Sequence, residues 1–334
     1  MTGTANELLM TAIRDEAGQI DAAMKADIDR LAVHVDPLLI EVLSYSLFNG
    51  GKRIRPLLAV LASRLCGRSD PETYQLSRAF EYLHAATLMH DDVIDGAGTR
   101  RGRPSVHVQY DTIAAILAGD FLHARSMAIV GELAGSEALK VFSEATGRMV
   151  DGEFLQMRNA SRFNLSDEDY QRAILEKTGL LISASCEIGG LWAGGSIEQV
   201  AALREYGLYL GSAFQMIDDL LDYQGKAAAT GKQLGNDLAE GKMTCPLIVT
   251  IQKADRGDRE RLQQIVADPE LRRSALAEVN SLISKYDGFE LTRKKAEAMI
   301  DLSLRQLEIF PDEAHGRDKD VLKALARYVL NREK

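Results

Sequence analysis

Two short stretches of the sequence each place three carboxylates within five positions, in segments whose apolar neighbours predict helix. The six residues are Asp91, Asp92 and Asp95 in HDDVID, and Asp218, Asp219 and Asp222 in IDDLLD. At about 100° per residue, positions i, i+1 and i+4 share about one third of a helix circumference. Carboxylates crowded in this way repel one another unless a cation lies between them. Oxygen ligands without His or Cys favour a hard cation, and Mg²⁺ is the best candidate.

Either cluster alone is explained equally well as a solvated helix end beside a glycine-rich loop, because charged helix faces are common. The two clusters share their spacing, however, and each has apolar residues before it and a cationic, glycine-containing loop after it. This repetition favours two metal-binding faces that look at each other across a cavity. The flanks share only the aspartate core, so a tandem repeat is not indicated.

Cations lie in three loops around these clusters. GGKRIRP contributes Lys52, Arg53 and Arg55, GAGTRRGRPS contributes Arg100, Arg101 and Arg103, and the loop after the second cluster contributes Lys232 and Lys242. Arg forms a bidentate fork and Lys a point charge, and both suit diphosphate oxygens. Two cation groups with two metal faces predict two anionic substrates. Taken individually, Arg53, Arg103 and Lys226 are interpreted as ordinary surface charges.

The elements that must position these residues are predicted to be helices throughout. Ala, Leu, Glu, Arg and Ile dominate long stretches, and apolar residues recur at helical spacing without the alternation that strands need. Ser166 with Asp169 and Ser196 with Gln199 resemble capping boxes at two helix starts. We predict one all-α domain over residues 1–334, with ten or more helices.

The composition narrows the class of function. The chain has 334 residues and a formal net charge of -9, which argues against nucleic acid as a partner. Cys66, Cys186 and Cys245 are far apart, so neither a disulfide framework nor a zinc site is indicated. The N-terminus lacks a signal layout, and no window approaches about 18 uninterrupted apolar residues. We expect a cytoplasmic protein without a transmembrane segment.

Five ordered motifs resemble those of the trans-isoprenyl diphosphate synthases, of the long-chain type represented by octaprenyl and heptaprenyl diphosphate synthases. The motifs are GGKRIRP, HDDVID followed by RRGRPS, KTG, FQMIDDLLD and GKQLGNDLAEGK. The resemblance covers about residues 50–246 and implies the isoprenoid synthase fold, a single helical bundle around a central cavity. It also implies head-to-tail condensation of an allylic diphosphate with isopentenyl diphosphate, assisted by Mg²⁺.

The resemblance assigns binding roles by motif position. The six aspartates would hold two to three Mg²⁺ ions. The allylic diphosphate would contact four cations, Arg100, Lys177, Lys232 and Lys242. The isopentenyl diphosphate site would comprise Lys52, Arg55, His84 and Arg101.

A catalytic set follows from the same resemblance. Thr178 and Gln215 would lie near the reacting carbons, where oxygen atoms stabilise an allylic cation, and Lys177 and Lys232 complete the set. Asp237 would hold a metal-bound water or orient Lys232. His90 lies beside the first cluster but off its face, and we assign it no role.

Residues before the first cluster bear on product length, because in this family bulky side chains there form the floor beneath the growing chain. Ala86 and Thr87 are small, Leu83 is a moderate obstacle, and Met127 is a candidate farther along the tube. We therefore expect a hexaprenyl to decaprenyl product for quinone side chains. A geranylgeranyl or farnesyl diphosphate synthase is the alternative, since small residues also serve tight helix packing.

Other classes fit less well. Terpene cyclases typically carry Asn and Ser where this chain has Asp219 and Asp222, and non-catalytic subunits of heteromeric synthases usually lose one cluster. A carboxylate-bridged metal bundle would need Glu-x-x-His pairs, which the motif helices lack. The resemblance further implies a homodimer, and we expect peripheral membrane contact to serve product release.

Overall fold

The computed structural model describes residues 3–159, 163, 166–225 and 234–332. Its first helices are α1 Gly3–Leu31, α2 Pro37–Leu47, α3 Ile54–Leu65, α4 Glu72–Ile94, α5 Val106–Gln109, α6 Thr112–Asn159 and α7 Asp167–Ile174. The later ones are α8 Leu180–Trp192, α9 Ile197–Gln224, α10 Asn236–Ala239, α11 Cys245–Lys253, α12 Arg256–Ala267, α13 Pro269–Ser274, α14 Leu276–Lys285, α15 Gly288–Gln306 and α16 Asp312–Leu330.

Three short elements also occur among the described residues. A two-residue hairpin pairs β1 Thr99–Arg100 with β2 Arg103–Pro104 in antiparallel register. A π-helical turn, Leu175–Gly179, joins α7 to α8, and a 3₁₀ turn, Leu307–Ile309, follows α15. The prediction of an all-α protein with ten or more helices is confirmed.

The chain divides into two compact units that are interleaved in sequence. Unit 1 comprises Met1–Glu144, Ala184–Arg204 and Ile309–Ala324, and unit 2 comprises Ala145–Ser183, Glu205–Glu308 and Leu325–Lys334. The first aspartate cluster belongs to unit 1 and the second to unit 2. A single domain over residues 1–334 stays a prediction.

The core of unit 1 is centred on α3 and α4. Both helices bury nearly continuous apolar faces, and Phe80 packs edge-on against Phe142 with ring centroids 5.7 Å apart. α8 approaches α3 closely because Gly189 has no side chain; a Cβ there would lie 2.4 Å from the carbonyl oxygen of Ala59. Truncating a core residue such as Leu58 to Ala would cost about 2–5 kcal/mol of folding free energy.

α6 is longer than its sequence pattern indicates. The pattern predicts a helix from Thr112 to about Leu133, and at Gly135 the backbone leaves helical geometry (φ 79°, ψ -174°) before the helix resumes as far as Asn159. An 18-residue window of this helix has a mean hydropathy of 1.5, with 39% of it buried, so by length and composition the helix qualifies as a membrane span. A core helix of a soluble protein can have the same length and mean hydropathy.

The core of unit 2 is built from α9 and α11 to α15. Tyr223, Leu247, Ile251 and Ile283 are among its fully buried members. Gly288 begins α15 against α11, where a Cβ would lie 2.2 Å from the hydroxyl oxygen of Thr250.

Both predicted helix starts are confirmed. Ser166 Oγ accepts from the amide of Asp169 at 3.1 Å at the start of α7. At the start of α9, Ser196 Oγ accepts from the amide of Gln199, whose side-chain oxygen accepts in return from the amide of Ser196.

Candidate active site

The first aspartate cluster occupies the last turn of α4, in unit 1. Asp92 is buried and accepts hydrogen bonds from Arg100 Nε at 2.9 Å to Oδ1 and 3.1 Å to Oδ2, and a further bond from Arg100 Nη2. Asp95 caps the helix and is exposed, and Gly96 (φ 62°) then turns the chain into the hairpin that carries Arg100. Arg100, which the sequence predicts to bind diphosphate, is therefore paired with Asp92, a candidate metal ligand.

His84 lies about two turns before Asp91 on α4, in a pocket of unit 1. The pocket is lined by His84, Asp92, Arg100 and Arg101 together with residues of α2 and the hairpin. Loss of solvent, followed by the positive charges of Arg55, Arg101, Arg100 and Arg53, holds the pKa of His84 well below its usual value. The imidazole is therefore neutral at physiological pH, which leaves one nitrogen to donate and one to accept.

Arg101 joins the hairpin to the GGKRIRP loop. Its Nη1 donates to the carbonyl oxygen of Gly50, and a Cβ at Gly51 would lie 2.9 Å from the same nitrogen. Gly51 (φ 128°) thus has two reasons to lack a side chain. Lys52 is exposed and Arg55 half-buried at the start of α3, so the structure brings three of the four predicted isopentenyl diphosphate contacts, Arg55, His84 and Arg101, to one region of unit 1.

The interpretation of Arg53 as a surface charge is wrong. The residue is 4% exposed and adopts a left-handed conformation (φ 52°) before α3. Its guanidinium donates to Glu81 at 2.6 Å, to Asp21 at 2.8 Å and to the carbonyl oxygen of Leu47 at 2.7 Å. A buried guanidinium requires such acceptors, so Arg53 fastens the loop to the core of unit 1. Arg103 is exposed, as predicted.

The second cluster lies near the end of α9, in unit 2, and its most buried member is Asp219. Oδ2 of Asp219 accepts from the Tyr170 hydroxyl at 2.8 Å and from the Cys245 amide at 3.1 Å, and Oδ1 accepts from Gln215 Nε2 at 3.2 Å. Burial and the negative charge of Asp237 raise the pKa of Asp219 to about 7. The sequence carries no signal that Tyr170 would reach this cluster.

Asp222 and Asp218 have different partners. Asp222 accepts from the amides of Asn236 and Asp237 at the start of α10, and burial with the charge of Asp237 raises its pKa to about 6. Asp218 forms an ion pair with Arg332, 2.9 Å from Nη1 to Oδ1. Arg332 follows α16 near the C-terminus, and no motif in the sequence identified it.

The predicted Lys-Thr pair lies in the π-helical turn Leu175–Gly179, in unit 2. Thr178 Oγ1 donates to Gln215 Oε1 at 3.0 Å, and Gln215 in turn donates to Asp219. Lys177 Nζ contacts Gln156 Oε1 and Glu153 Oε1 on α6, each at 2.9 Å. The structure thus joins Thr178 and Gln215 to the second aspartate cluster, as members of one hydrogen-bonded chain.

The lysines after the second cluster have different outcomes. Lys232 and Lys226 lie outside the described residues. Lys242 Nζ contacts Asp237 Oδ1 at 3.3 Å and Glu240 Oε2 at 2.5 Å. Burial opposes the charged form, but Asp237 and Glu240 outweigh it and raise the pKa of Lys242. Lys242 therefore stays charged beside the cluster.

The predicted chain-length gate is divided between buried and accessible residues. Ala86 and Leu83 are 2% and 1% exposed and belong to the packed interior of unit 1. Thr87 is half-buried and its hydroxyl donates to the carbonyl oxygen of His84 at 2.9 Å. Met127 is half-buried on α6. His90 packs over Gly119, where a Cβ would lie 2.2 Å from its Nε2, which suits a packing residue.

The donor chemistry of the second cluster fits a divalent cation. Among the described residues, no group of three or more His, Cys, Asp and Glu converges on one point. The pKa values of Asp219 and Asp222 are nevertheless raised, in part by the negative charge of Asp237. A cation held by these oxygens would offset that repulsion, and Mg²⁺ prefers such ligands.

The sequence matches the family model described as Polyprenyl synthetase over residues 36–283. The chain belongs to the polyprenyl synthetase family. It is 36% identical over 302 residues to the octaprenyl diphosphate synthase of Escherichia coli, which covers 90% of this chain and 92% of that protein. It is also 35% identical over 288 residues to a short chain isoprenyl diphosphate synthase of Methanothermobacter thermautotrophicus, covering 85% and 87% of the two chains.

Solved structures of this family agree with the fold. A polyprenyl synthase from Caulobacter crescentus, complexed with calcium and isoprenyl diphosphate, superposes with a TM-score of 0.88 at 32% identity, covering 100% of this chain and 99% of that one. The all-α isoprenoid synthase fold is thereby confirmed, and the polyprenyl synthetase is a prenyltransferase of the polyprenyl diphosphate synthase class. Members of this class depend on Mg²⁺.

Proposed function

We propose that this polyprenyl synthetase condenses an allylic diphosphate with isopentenyl diphosphate repeatedly, to give an all-trans hexaprenyl to decaprenyl diphosphate for a quinone side chain. The contact chain from Thr178 through Gln215 to Asp219, beside Lys177, carries the proposal of reaction type. Similarity to an octaprenyl diphosphate synthase and the small residues Ala86 and Thr87 support the product length.

The reaction breaks the C–O bond of the allylic diphosphate, and the double bond of isopentenyl diphosphate supplies the electron pair for the new C–C bond. A proton then leaves. Each of the two aspartate clusters is proposed to hold Mg²⁺, which when bound would neutralise the departing diphosphate. Lys177 adds a positive charge, and Lys242 keeps its charge because Asp237 and Glu240 raise its pKa. Lys232 is proposed from its motif alone.

The hydrogen-bond directions around Thr178 suit a residue that faces a carbocation. Asp219 is the last acceptor in this chain of hydrogen bonds. Gln215 donates an amide N–H to Asp219, and its side-chain oxygen accepts a hydrogen bond from the hydroxyl of Thr178. The hydroxyl of Thr178 is thereby committed as a donor within the protein, so its lone pairs remain to stabilise positive charge outside it. A threonine without this partner could rotate its proton towards the cation.

The region around His84 is proposed to bind isopentenyl diphosphate. Arg55 and Arg101 supply positive charge near His84, and Lys52 is exposed in the GGKRIRP loop. A neutral His84 can donate to a diphosphate oxygen without adding a further buried cation among the arginines. Arg100 is engaged by Asp92, so its predicted contact with the allylic diphosphate requires that this ion pair be shared or exchanged.

Two narrower alternatives remain. Similarity to a short chain isoprenyl diphosphate synthase at 35% identity keeps a geranylgeranyl or farnesyl product open. The other alternative is a catalytic chain that works with a second, non-identical subunit. It is supported by the heptaprenyl diphosphate synthase component 2 of Geobacillus stearothermophilus, which is 35% identical to this chain over 316 residues.

One incubation tests the proposal. Purified protein would be mixed with labelled isopentenyl diphosphate, Mg²⁺ and, in turn, geranyl, farnesyl and geranylgeranyl diphosphate, and the products would be sized by chromatography. Chains of 30 to 50 carbons are expected. Products that stop at 15 or 20 carbons would support the short-chain alternative, and no elongation with any primer would overturn the enzyme assignment.

We also propose a homodimer, through an apolar surface of unit 1. Ile94, Val108, Ile113 and Leu117 are each more than half exposed, and they follow one another along the end of α4, α5 and the start of α6. Such a row of large exposed apolar residues marks an interaction surface. Light scattering after gel filtration would report the mass, and Leu117→Glu should give monomers. Peripheral membrane contact and a cytoplasmic location stay predictions.

A further inference from the structure

The residue before Lys177 is a buried carboxylate to which no motif assigns a role. Glu176 is 1% exposed, and its Oε1 accepts from Arg148 Nε at 2.9 Å, from Arg148 Nη2 at 2.6 Å and from Arg172 Nε at 3.0 Å. Its Oε2 has no hydrogen-bond partner among the described residues. Three N–H groups on one oxygen fix the direction of this side chain and with it the backbone of the turn.

A glycine on the facing helix makes this arrangement fit. A Cβ at Gly152 of α6 would lie 2.7 Å from Glu176 Cβ and 3.3 Å from the backbone nitrogen of Lys177. The first distance is too short for two carbon atoms, and neither neighbour is the far end of a flexible side chain. Gly147, five residues earlier on α6, would meet nothing within 4 Å with an added Cβ. The close approach is therefore specific to Gly152.

A second glycine holds the turn from its other side. A Cβ at Gly211 of α9 would lie 2.6 Å from the Cα of Gly179, the last residue of the π-helical turn. Gln215, one helical turn after Gly211, accepts the hydroxyl of Thr178. The turn thus lies between two backbone contacts. Because a π-helical turn has one more residue than an α-helical turn, its residues point in directions that a regular helix would not give them.

We propose that Glu176 is a positioning residue for the transfer reaction. With Arg148, Arg172 and Gly152 it fixes the π-helical turn, so that Thr178 reaches Gln215 while Lys177 projects separately. Glu176 acts only through these neighbours. The inference rests on the proposed function, because the roles of Lys177 and Thr178 come from it.

Two variants disturb this arrangement from opposite sides, and a third is their control. Gly152→Ala inserts a carbon against Glu176, whereas Glu176→Gln keeps the shape of the side chain and removes its charge. Gly147→Ala adds the same methyl group to the same helix in open space. Each variant would be assayed by steady-state elongation with either substrate varied.

The expected result is a split between the kinetic constants. Turnover per folded site should fall about tenfold to a hundredfold in Gly152→Ala and Glu176→Gln, because a displacement of about 1 Å at a reacting group has an effect of this size. KM for the allylic diphosphate should rise, because Lys177 moves. KM for isopentenyl diphosphate should be unchanged, because its proposed contacts lie in unit 1. Gly147→Ala should match the wild type.

A double-mutant cycle separates positioning from a general structural role. If Glu176 acts through Thr178, adding Glu176→Gln to Thr178→Val should cost little further turnover, because the positioned hydroxyl is already gone. Multiplicative losses, or unchanged turnover with only a lower melting temperature, would overturn the inference. If the wild type elongates no primer, the proposed function fails first. If it elongates normally and both variants do too, only the positioning role of Glu176 fails.

Discussion

The guanidinium of Arg332 lies 2.9 Å from the carboxylate of Asp218, the first aspartate of the second cluster. Several contacts in unit 2 hold residues 330–332 there. Asn331 Nδ2 donates to the carbonyl oxygen of Arg327, Arg293 Nη1 donates to that of Leu330, and the Arg332 guanidinium carbon stacks 4.1 Å from the ring centre of Phe214. Arg332 is thus paired with Asp218, a carboxylate that the proposed function assigns to Mg²⁺.

We expect Arg332→Ala to bind Mg²⁺ more tightly in the absence of substrate. Removing the guanidinium deletes a competitor for Asp218, and a partly exposed ion pair of this kind corresponds to about a two- to fivefold change in affinity. Isothermal titration of the substrate-free protein would measure it. Arg327→Ala, which removes an exposed arginine from the end of α16, is the control and should leave the affinity unchanged. Weaker binding in Arg332→Ala would show that the residue supports the site instead.

Asp218 and Asp219 are adjacent, yet their loss should have different consequences. Asp218→Ala should abolish elongation and leave the protein folded, because its carboxylate is about one-third exposed and its ion pair with Arg332 contributes little to folding. Asp219→Ala should also lower stability by about 1–3 kcal/mol, because the Tyr170 hydroxyl and the Cys245 amide lose their buried acceptor. Denaturant unfolding and the elongation assay would separate the two effects. Equal stabilities would contradict the burial argument.

The sequence predicted the elements of the site better than the contacts between them. Helical periodicity and glycine breaks placed HDDVID and IDDLLD near helix ends, and the capping residues Ser166 and Ser196 occupy their predicted positions. Such signals are local, so they could be read along the chain.

The remaining features depend on contacts distant in sequence. Tyr170 reaches Asp219 across 49 positions, and Arg332 reaches Asp218 across 114 positions. The sequence predicts Arg53 to be a surface charge because its acceptors Asp21 and Glu81 lie 32 and 28 positions away along the chain. The π-helical turn at Lys177 adds only one residue to a helical segment, so the 3.6-residue periodicity of the sequence does not reveal it.

Thr87→Phe should shorten the product by several isoprene units. Thr87 is half-buried one turn before Asp91, whereas Ala86 is 2% exposed, so a phenyl ring at position 86 would also overpack the core of unit 1. Thr87→Val is the matched control, since it keeps the volume and removes only the hydroxyl bonded to His84. Sizing the products of all three proteins would test the gate. An unchanged product ladder in Thr87→Phe would remove Thr87 from it.

The stability of the protein should depend on His84 at mildly acidic pH. Burial and the surrounding arginines lower the folded-state pKa of His84 below its unfolded value of about 6.5, so the folded state favours the neutral imidazole. Its contribution to stability is therefore full above about pH 6.5 and is lost as the pH falls from there towards the folded-state pKa. In His84→Gln the amide cannot be protonated, so its melting temperature should fall less than that of the wild type between about pH 7 and 5. His34, which shows no comparable burial, provides the control variant His34→Gln, expected to follow the wild type. Parallel curves for His84→Gln and the wild type would mean that His84 is not the group protonated on acidification.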